Sequence, residues 1–154
     1  MLAKKFRVLV VDDNRDSAES MAELLTIAGF EVATCFDGIS ALKTCDTFHP
    51  DACLLDINMP GMDGYELAQK LRARFADRPP VFATMTAYGD YAHLERAVDA
   101  GFDLQFTKPI EAHEVVEQLE GSVQRAEPIE DDRSTLRRLL SRVFGQWSRR
   151  KENE

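Results

Sequence analysis

The sequence has 154 residues, 44% hydrophobic and 30% charged, which allows one globular domain with a full core and a short appendage. Residues 1–120 carry 11 Lys and Arg against 21 Asp and Glu, whereas residues 121–154 carry 8 against 6, so the formal net charge of −8 lies in the first part. That acidic part excludes a nucleic-acid surface there, and an anionic partner would have to meet the tail.

The apolar run nearest the N-terminus, FRVLVV (6–11), ends in two acids. It is too short for a membrane span and lacks a signal-peptide cleavage site, so we expect a cytoplasmic protein. We also expect a complete chain, because it begins at Met1 and ends in polar residues. Cys35, Cys45 and Cys53 show no CxxC or Cys/His spacing, which predicts small buried hydrophobic residues rather than disulfides or a zinc site.

Five short apolar runs alternate with five helical patterns. We predict strands at RVLVV (7–11), EVATC (31–35), ACLL (52–55), VFATM (81–85) and DLQF (103–106). The first, third and fourth runs are nearly continuous in apolar residues, as in parallel strands that are covered on both faces. Strict alternation with short connections predicts an α/β protein with a doubly wound, five-stranded parallel sheet and helices on both faces.

The helices have clear start and stop signals. Asn14 can cap the first helix, and Gly29 can end it. Its predicted apolar stripe consists of Ala18, Met21, Ala22, Leu25 and Ala28. Asp63 begins a D-x-x-E capping pair before the third helix. The fourth helix is predicted to stop at Gly101, and the fifth to start after Pro109.

Polar residues stand at the ends of four predicted strands, where ligands and chemistry gather in a parallel sheet. They are Asp12, Asp13, Asp56, Thr86 and Lys108. Carboxylates brought this close repel one another by about 4 kcal/mol per close pair at an effective dielectric constant of 20. Such a cluster requires protonation or a cation. Oxygen ligands with no His or Cys nearby suit a hard ion such as Mg²⁺.

Phosphoryl transfer to a protein uses a carboxylate that lies beside Mg²⁺, an ammonium group and a hydroxyl group. The cations neutralise the phosphoryl oxygens, the hydroxyl donates a hydrogen bond, and the carboxylate attacks in line. Each residue alone has a plainer interpretation: Asp12 or Asp13 as a helix cap, Thr86 or Lys108 as a solvated turn residue. Their joint placement at the strand ends favours the phosphoryl-transfer site.

Four motifs resemble the signature of the response regulator receiver domain (CheY-like) of two-component and phosphorelay signalling. They are VVDDN (10–14), LLDINMPGMDG (54–64), MTA (85–87) and TKP (107–109). The spacing between the motifs also matches, and the resemblance covers about residues 5–122. It implies a flavodoxin-like, three-layer α/β/α fold of the (βα)5 type.

The resemblance implies that Asp56 is the phosphoacceptor. Asp56 would take a phosphoryl group from a phosphohistidine on a partner histidine kinase or histidine phosphotransfer protein. Asp12 and Asp13 would hold Mg²⁺ together with Asp56, Asp13 directly, and the backbone carbonyl of Asn58 would complete the protein ligands. The cofactor expected is therefore Mg²⁺.

The resemblance further implies that Thr86 and Lys108 contact the phosphoryl oxygens, and that the peptide bond from Lys108 to Pro109 is cis. One position departs from the family: Gln105 stands where many receivers have a Tyr or Phe that swings inward on phosphorylation. Phe106 is its neighbour, but it points to the opposite face of a strand and is predicted to lie in the core.

We predict a receiver domain over residues 1–124, and a linker with a basic amphipathic helix (132–151) over residues 125–154. One helical face carries Leu136, Leu139, Leu140, Val143, Phe144 and Trp147. A helix of about 18 residues is marginal alone in water. Its apolar face would pack on its own receiver, on a second copy in a homodimer, on another protein or, least favoured, on a membrane surface. Some 34 residues cannot supply a DNA-binding unit with its own core, so no nucleic-acid partner is expected.

The sequence therefore predicts a phosphorylation-controlled switch that acts on a downstream protein partner and lacks a DNA-binding output domain. It is not expected to be a conventional enzyme, although a receiver takes part in its own phosphorylation and dephosphorylation. An aspartyl-nucleophile phosphatase would need a second acid two residues after the nucleophile, where Asn58 stands. A degenerate receiver that serves as an interaction scaffold would need none of Asp13, Asp56, Thr86 and Lys108.

Overall fold

A computed structural model of the chain describes residues 5–87 and 91–124. The predicted helix over 132–151 lies outside the described residues. Ten elements alternate along the chain: β1 (Arg7–Val11), α1 (Arg15–Ile27), β2 (Glu31–Cys35), α2 (Gly38–Phe48), β3 (Ala52–Asp56), α3 (Gly64–Arg74), β4 (Val81–Thr86), α4 (Tyr91–Asp99), β5 (Leu104–Thr107) and α5 (Ala112–Gln124). None of the helices within these described ranges is long and apolar enough to span a membrane.

All five strands pair in parallel, in the order β2-β1-β3-β4-β5. The strand order therefore reverses at β1 and β3, and the crevice beyond their carboxyl ends is the topological switch point of the sheet. This arrangement confirms the predicted doubly wound parallel sheet. β3 and β4 each extend one residue further than predicted, so Asp56 and Thr86 are the last residues of their strands.

The fifth strand begins one residue later than predicted, because Asp103 is occupied in joining β5 to β4. Its backbone N–H donates to the carbonyl oxygen of Phe82 over 2.8 Å, and its carboxylate accepts from the backbone N–H of Phe82 over 2.9 Å. Burial raises the pKa of the Asp103 carboxyl group. Asp103 therefore lies directly before β5 and links the start of this strand to β4 through the two hydrogen bonds.

Two apolar layers cover the two faces of the sheet. Val8 and Val10 of β1 pack with α1 and α5, whereas Leu9 and Val11 pack with α2 and α3. Alternate residues of a strand point to opposite faces, so a strand covered on both sides is apolar throughout. The three cysteines are free and buried, as predicted: Cys35, Cys45 and Cys53.

The helix start signals are confirmed where the structure describes them. The side chain of Asn14 accepts from the backbone N–H of Ser17 at the start of α1, and Asp63 accepts from that of Glu66 at the start of α3. Of the predicted stripe on α1, Ala18, Met21 and Leu25 are buried and Ala22 is half-buried, but Ala28 is exposed because it forms the C-cap. These caps fix where each helix begins relative to the strand before it.

Candidate functional site

Three carboxylates meet at the switch point. Asp12 directly follows β1, Asp13 comes next, and Asp56 ends the neighbouring strand β3. One carboxylate oxygen from each residue lies within 4.8 Å of the others. Asp12 is 1% exposed and Asp56 is 6% exposed, whereas Asp13 is open to solvent. The structure therefore brings together the three acids predicted to form one site.

Lys108 faces this cluster from the connection between β5 and α5. Its Nζ atom lies 3.2 Å from Oδ2 of Asp12 and 3.7 Å from Oδ1 of Asp56. Its backbone N–H donates to the carbonyl oxygen of Thr86 over 2.6 Å, and its peptide bond to Pro109 is cis, as the resemblance implied. The ammonium group is thus held against two buried carboxylates and remains one-third exposed on its outer side.

The electrostatic state of Asp56 follows from this packing. Burial, followed by the negative charge of Asp12, raises the pKa of the Asp56 carboxyl group from 3.8 to about 7. The positive charge of Lys108 acts in the opposite direction but does not balance these effects. Three carboxylates face one ammonium group, and an added divalent cation would restore the balance. An all-oxygen set of this kind fits Mg²⁺.

Both oxygens of Asp12 are already engaged. Oδ1 accepts from the backbone N–H of Asn14 over 3.0 Å, and Oδ2 accepts from Lys108. Asn58 lies in the turn after β3 and is exposed. Thr86, at the end of β4, is buried at 4% exposure. The predicted positions therefore lie at the same edge of the sheet, while their individual roles remain predictions.

Gly64 has a structural role that the sequence analysis did not assign. A Cβ atom at this position would lie 2.5 Å from the carbonyl oxygen of Asp56 and 3.0 Å from Cα of Ile57. The backbone N–H of Gly64 also donates to the carbonyl oxygen of Ile57 over 3.1 Å. A glycine directly after the N-cap Asp63 was the available signal, since only glycine permits so close a backbone approach. It allows α3 to begin against the end of β3 and so supports Asp56.

The fifth strand confirms the prediction for Phe106, which is buried in the layer formed with α1 and α5. Gln105 projects to the opposite face. Its side-chain Nε2 atom is buried and has no hydrogen-bond partner, and the same is true of Oγ1 of Thr84 on the neighbouring strand. The sequence pattern gave no sign of these two unpaired groups.

The raised pKa of Asp56 predicts a pH-dependent stability in metal-free solution. Because the folded-state pKa of about 7 exceeds the ordinary 3.8, its contribution to stability is greatest below pH 4 and is lost as the pH rises to about 7. We expect Asp56→Asn to melt several degrees above the wild type at pH 8, with the gap closing near pH 4. Thermal unfolding in EDTA between pH 4 and pH 8 measures this difference in melting temperature. A gap that does not vary with pH would contradict the burial of a charged Asp56.

The fold and the strand-end acids define a doubly wound α/β protein with a cluster of three carboxylates at the switch point of its sheet. The family model of the response regulator receiver domain matches residues 8–120. The chain therefore belongs to the response regulator receiver family, the CheY-like proteins of two-component signalling.

Relatives among characterised bacterial proteins agree with this membership. The chain is 34% identical over 135 residues to "Response regulator MprA" of Mycobacterium avium, a match covering 88% of this chain and 58% of MprA. It is 38% identical over 119 residues to "Transcriptional regulatory protein PrrA" of Mycobacterium tuberculosis, covering 77% of this chain and 50% of PrrA. The chain thus spans about half the length of the curated relatives it matches.

Solved structures confirm the fold. The chemotaxis protein CheY4 of Vibrio cholerae superposes with a TM-score of 0.73 at 24% identity, covering 77% of this chain and 98% of CheY4. A putative response regulator from Chloroflexus aurantiacus has a TM-score of 0.71 at 31% identity, covering 77% and 97%. Nearly the whole of each of these proteins therefore corresponds to about three-quarters of this chain.

Proposed function

We propose that Asp56 accepts a phosphoryl group from a phosphohistidine on a histidine kinase or histidine phosphotransfer protein, in a Mg²⁺-dependent reaction. The chain then acts as a phosphorylation-controlled switch. One observation carries the proposal: the Asp56 carboxylate is buried at the switch point, within 4.8 Å of two other carboxylates and 3.7 Å from an ammonium group. A solubilising acid would not be placed where burial and like charge oppose its ionisation.

In the proposed transfer, an oxygen of Asp56 forms a bond to phosphorus while the phosphorus–nitrogen bond of the phosphohistidine breaks, and the imidazole leaves. Lys108 would pair with a phosphoryl oxygen through the ammonium group that now contacts Asp12 and Asp56. Thr86 would donate its hydroxyl hydrogen to another. Bound Mg²⁺ would neutralise developing negative charge on the phosphoryl oxygens.

The protein ligands for Mg²⁺ would be Asp13 and Asp56 through their carboxylates and Asn58 through its backbone carbonyl. Asp12 would help to hold the ion through its negative charge, and its two oxygens now accept hydrogen bonds from Asn14 and Lys108. An ion held by few protein groups keeps several waters, which is the usual state of Mg²⁺. The exposed position of Asp13 leaves its side of the cluster open to the ion.

Incubation of the full chain with acetyl phosphate and Mg²⁺, followed by intact-mass measurement, tests the proposal. We expect one phosphoryl group per chain, and none when Mg²⁺ is chelated. Absence of labelling in Mg²⁺ would contradict the assignment. Steady turnover of a generic phosphate ester without accumulation of labelled protein would indicate the phosphatase alternative.

Response regulators interact with histidine kinases, and we propose that this chain does so in the cytoplasm. We further propose that its output is a contact with a downstream protein partner. PrrA is named a transcriptional regulatory protein, but the match covers only 50% of it. We therefore do not extend the regulatory role in that name to these 154 residues.

We further propose that residues 1–124 form the receiver and that residues 125–154 form a linker and a helix that regulates it. The apolar face of this tail requires a surface that buries it, and we favour its own receiver or a second copy over another protein or a membrane. Linkage is reciprocal: if phosphorylation changes tail docking, removing the tail must change the phosphorylation equilibrium.

Truncation after Gln124 tests the role of the tail. We expect a folded receiver whose extent of phosphorylation by acetyl phosphate, or whose self-association, differs several-fold from that of the full chain. Phe144→Ser should reproduce the change because it interrupts the predicted apolar face, whereas Ser148→Ala should not. Intact mass and sedimentation velocity provide the measurements. If neither property changes, the tail is a passive appendage.

A further inference from the structure

Two buried polar atoms in the described part of the chain lack hydrogen-bond partners: Oγ1 of Thr84 on β4 and Nε2 of Gln105 on β5. The two residues are register partners in the parallel pairing of these strands. Their side chains therefore project from the same face of the sheet, side by side. The amide nitrogen is a donor and the hydroxyl oxygen can accept, so the two unpaired atoms are chemically complementary.

An unpaired polar pair at this position opposes folding. Buried donors and acceptors in native proteins are nearly always paired, and an unpaired one loses its hydration without compensation. Apolar side chains of the same size would avoid this cost, and Phe82 on the same face of β4 is fully buried. The pair is thus explained if a second state of the protein exists in which the bond is made.

Both strands connect the pair directly to the proposed phosphoryl site. Thr86 follows Thr84 by two residues and therefore lies on the same face of β4. Lys108 follows Gln105 by three residues, and its backbone N–H donates to the carbonyl oxygen of Thr86. Movement of Thr86 and Lys108 toward a phosphoryl group would shift the ends of β4 and β5 together, on the side where the unpaired atoms lie.

We propose that Gln105 and Thr84 form a hydrogen bond when Asp56 carries a phosphoryl group, and that this bond stabilises the phosphorylated state. This inference rests on the proposed function of Asp56. Gln105 and Thr84 are positioning residues, because they act on the site only through Thr86 and Lys108. The pair thereby couples occupancy of the site to the face of β4 and β5 that carries Phe82.

A double-mutant cycle in the full chain tests the pair. The variants are Thr84→Val, Gln105→Met and the double variant, with Thr34→Val on the distant edge strand β2 as the matched control. Thermal unfolding without ligand and titration with beryllofluoride in Mg²⁺, a phosphoryl mimic, are measured for each. The first reports the unligated state, and the second reports the state in which the bond is expected.

Each single variant should melt about 2–4 °C above the wild type without ligand, because it removes an unpaired buried group. Each should bind beryllofluoride about two- to tenfold more weakly, because it lacks the bond made in that state. The double variant should bind no more weakly than either single variant, since both lose the same bond. Thr84→Ser, which keeps the hydroxyl group, should bind as the wild type does, and so should Thr34→Val.

Losses of beryllofluoride affinity that add in the double variant would overturn the inference. A coupling free energy between the two residues that is the same with and without the mimic would also overturn it. A Thr84→Ser variant that loses affinity as Thr84→Val does would also overturn it, by removing the role of the hydroxyl group. Failure of the proposed function gives a different result. A wild-type chain that does not bind beryllofluoride in Mg²⁺ refutes both proposals. Normal wild-type binding, with losses of affinity that add in the double variant, refutes only the hydrogen-bonded pair.

Discussion

Asp56→Asn is expected to reduce phosphoryl uptake from acetyl phosphate to below detection. The amide that replaces the carboxylate is not a nucleophile, and it removes one ligand of the proposed Mg²⁺ site. Of the two other acids in the described cluster, Asp12 is held by Asn14 and Lys108, and Asp13 is a proposed Mg²⁺ ligand. Intact-mass measurement after incubation in Mg²⁺ compares the variant with the wild type.

Asp46→Asn is the matched control for this substitution. Asp46 lies on α2, is more than half exposed and pairs with Arg74 rather than with the site. Its conversion makes the same chemical change on the surface, so labelling should equal that of the wild type. Labelling that persists undiminished in Asp56→Asn would place the phosphoryl group elsewhere and end the assignment of this residue.

Asp13→Ala is expected to lower Mg²⁺ affinity at least about tenfold and to abolish phosphorylation, while stabilising the metal-free protein by about 1 kcal/mol. Asp13 is a proposed direct ligand, so its loss weakens the ion site. In the absence of the ion, the same carboxylate repels the buried acids within 4.8 Å of it, and its removal relieves that repulsion. Removal of this one side chain is therefore expected to weaken Mg²⁺ binding and to raise the stability of the metal-free protein.

Mg²⁺ titration and thermal unfolding in EDTA measure the two effects separately. Asp16→Ala is the control, because Asp16 is an exposed acid in the first turn of α1 but is outside the cluster. It should leave Mg²⁺ affinity unchanged and lower stability slightly, since an acid near a helix N-terminus is favourable. An Asp13→Ala protein that melts below the wild type without Mg²⁺ would contradict a repulsive cluster.

Local sequence patterns were sufficient to predict the order and type of the elements and the edge of the sheet that carries the candidate site. Hydrophobic periodicity identified every strand within one residue at each described end, because strands covered on both faces must be apolar throughout. Alternation with helices implied parallel strands. Parallel strands place their carboxyl ends together, so Asp12, Asp56, Thr86 and Lys108 could be assigned to one edge from spacing alone.

Local chemistry also determined several helix starts. Asn14 and Asp63 cap their helices because their side chains reach backbone N–H groups only a few residues away. The prediction was wrong for Ala28, which periodicity assigned to the buried stripe. Helical spacing describes a continuing helix, and α1 ends at Ile27, so its C-cap does not follow the face of the helix.

The distances and electrostatics of the site depend on tertiary packing and could not be predicted from local patterns. Lys108 contacts Asp12 across 96 residues of chain, and the pKa of Asp56 rises to about 7 through burial by distant elements. The close approach of Gly64 to Asp56 and the unpaired atoms of Thr84 and Gln105 are equally invisible in local patterns. Periodicity reports which face of an element is covered. Separations of a few ångströms, and the energies that depend on them, arise from how complete elements pack against one another.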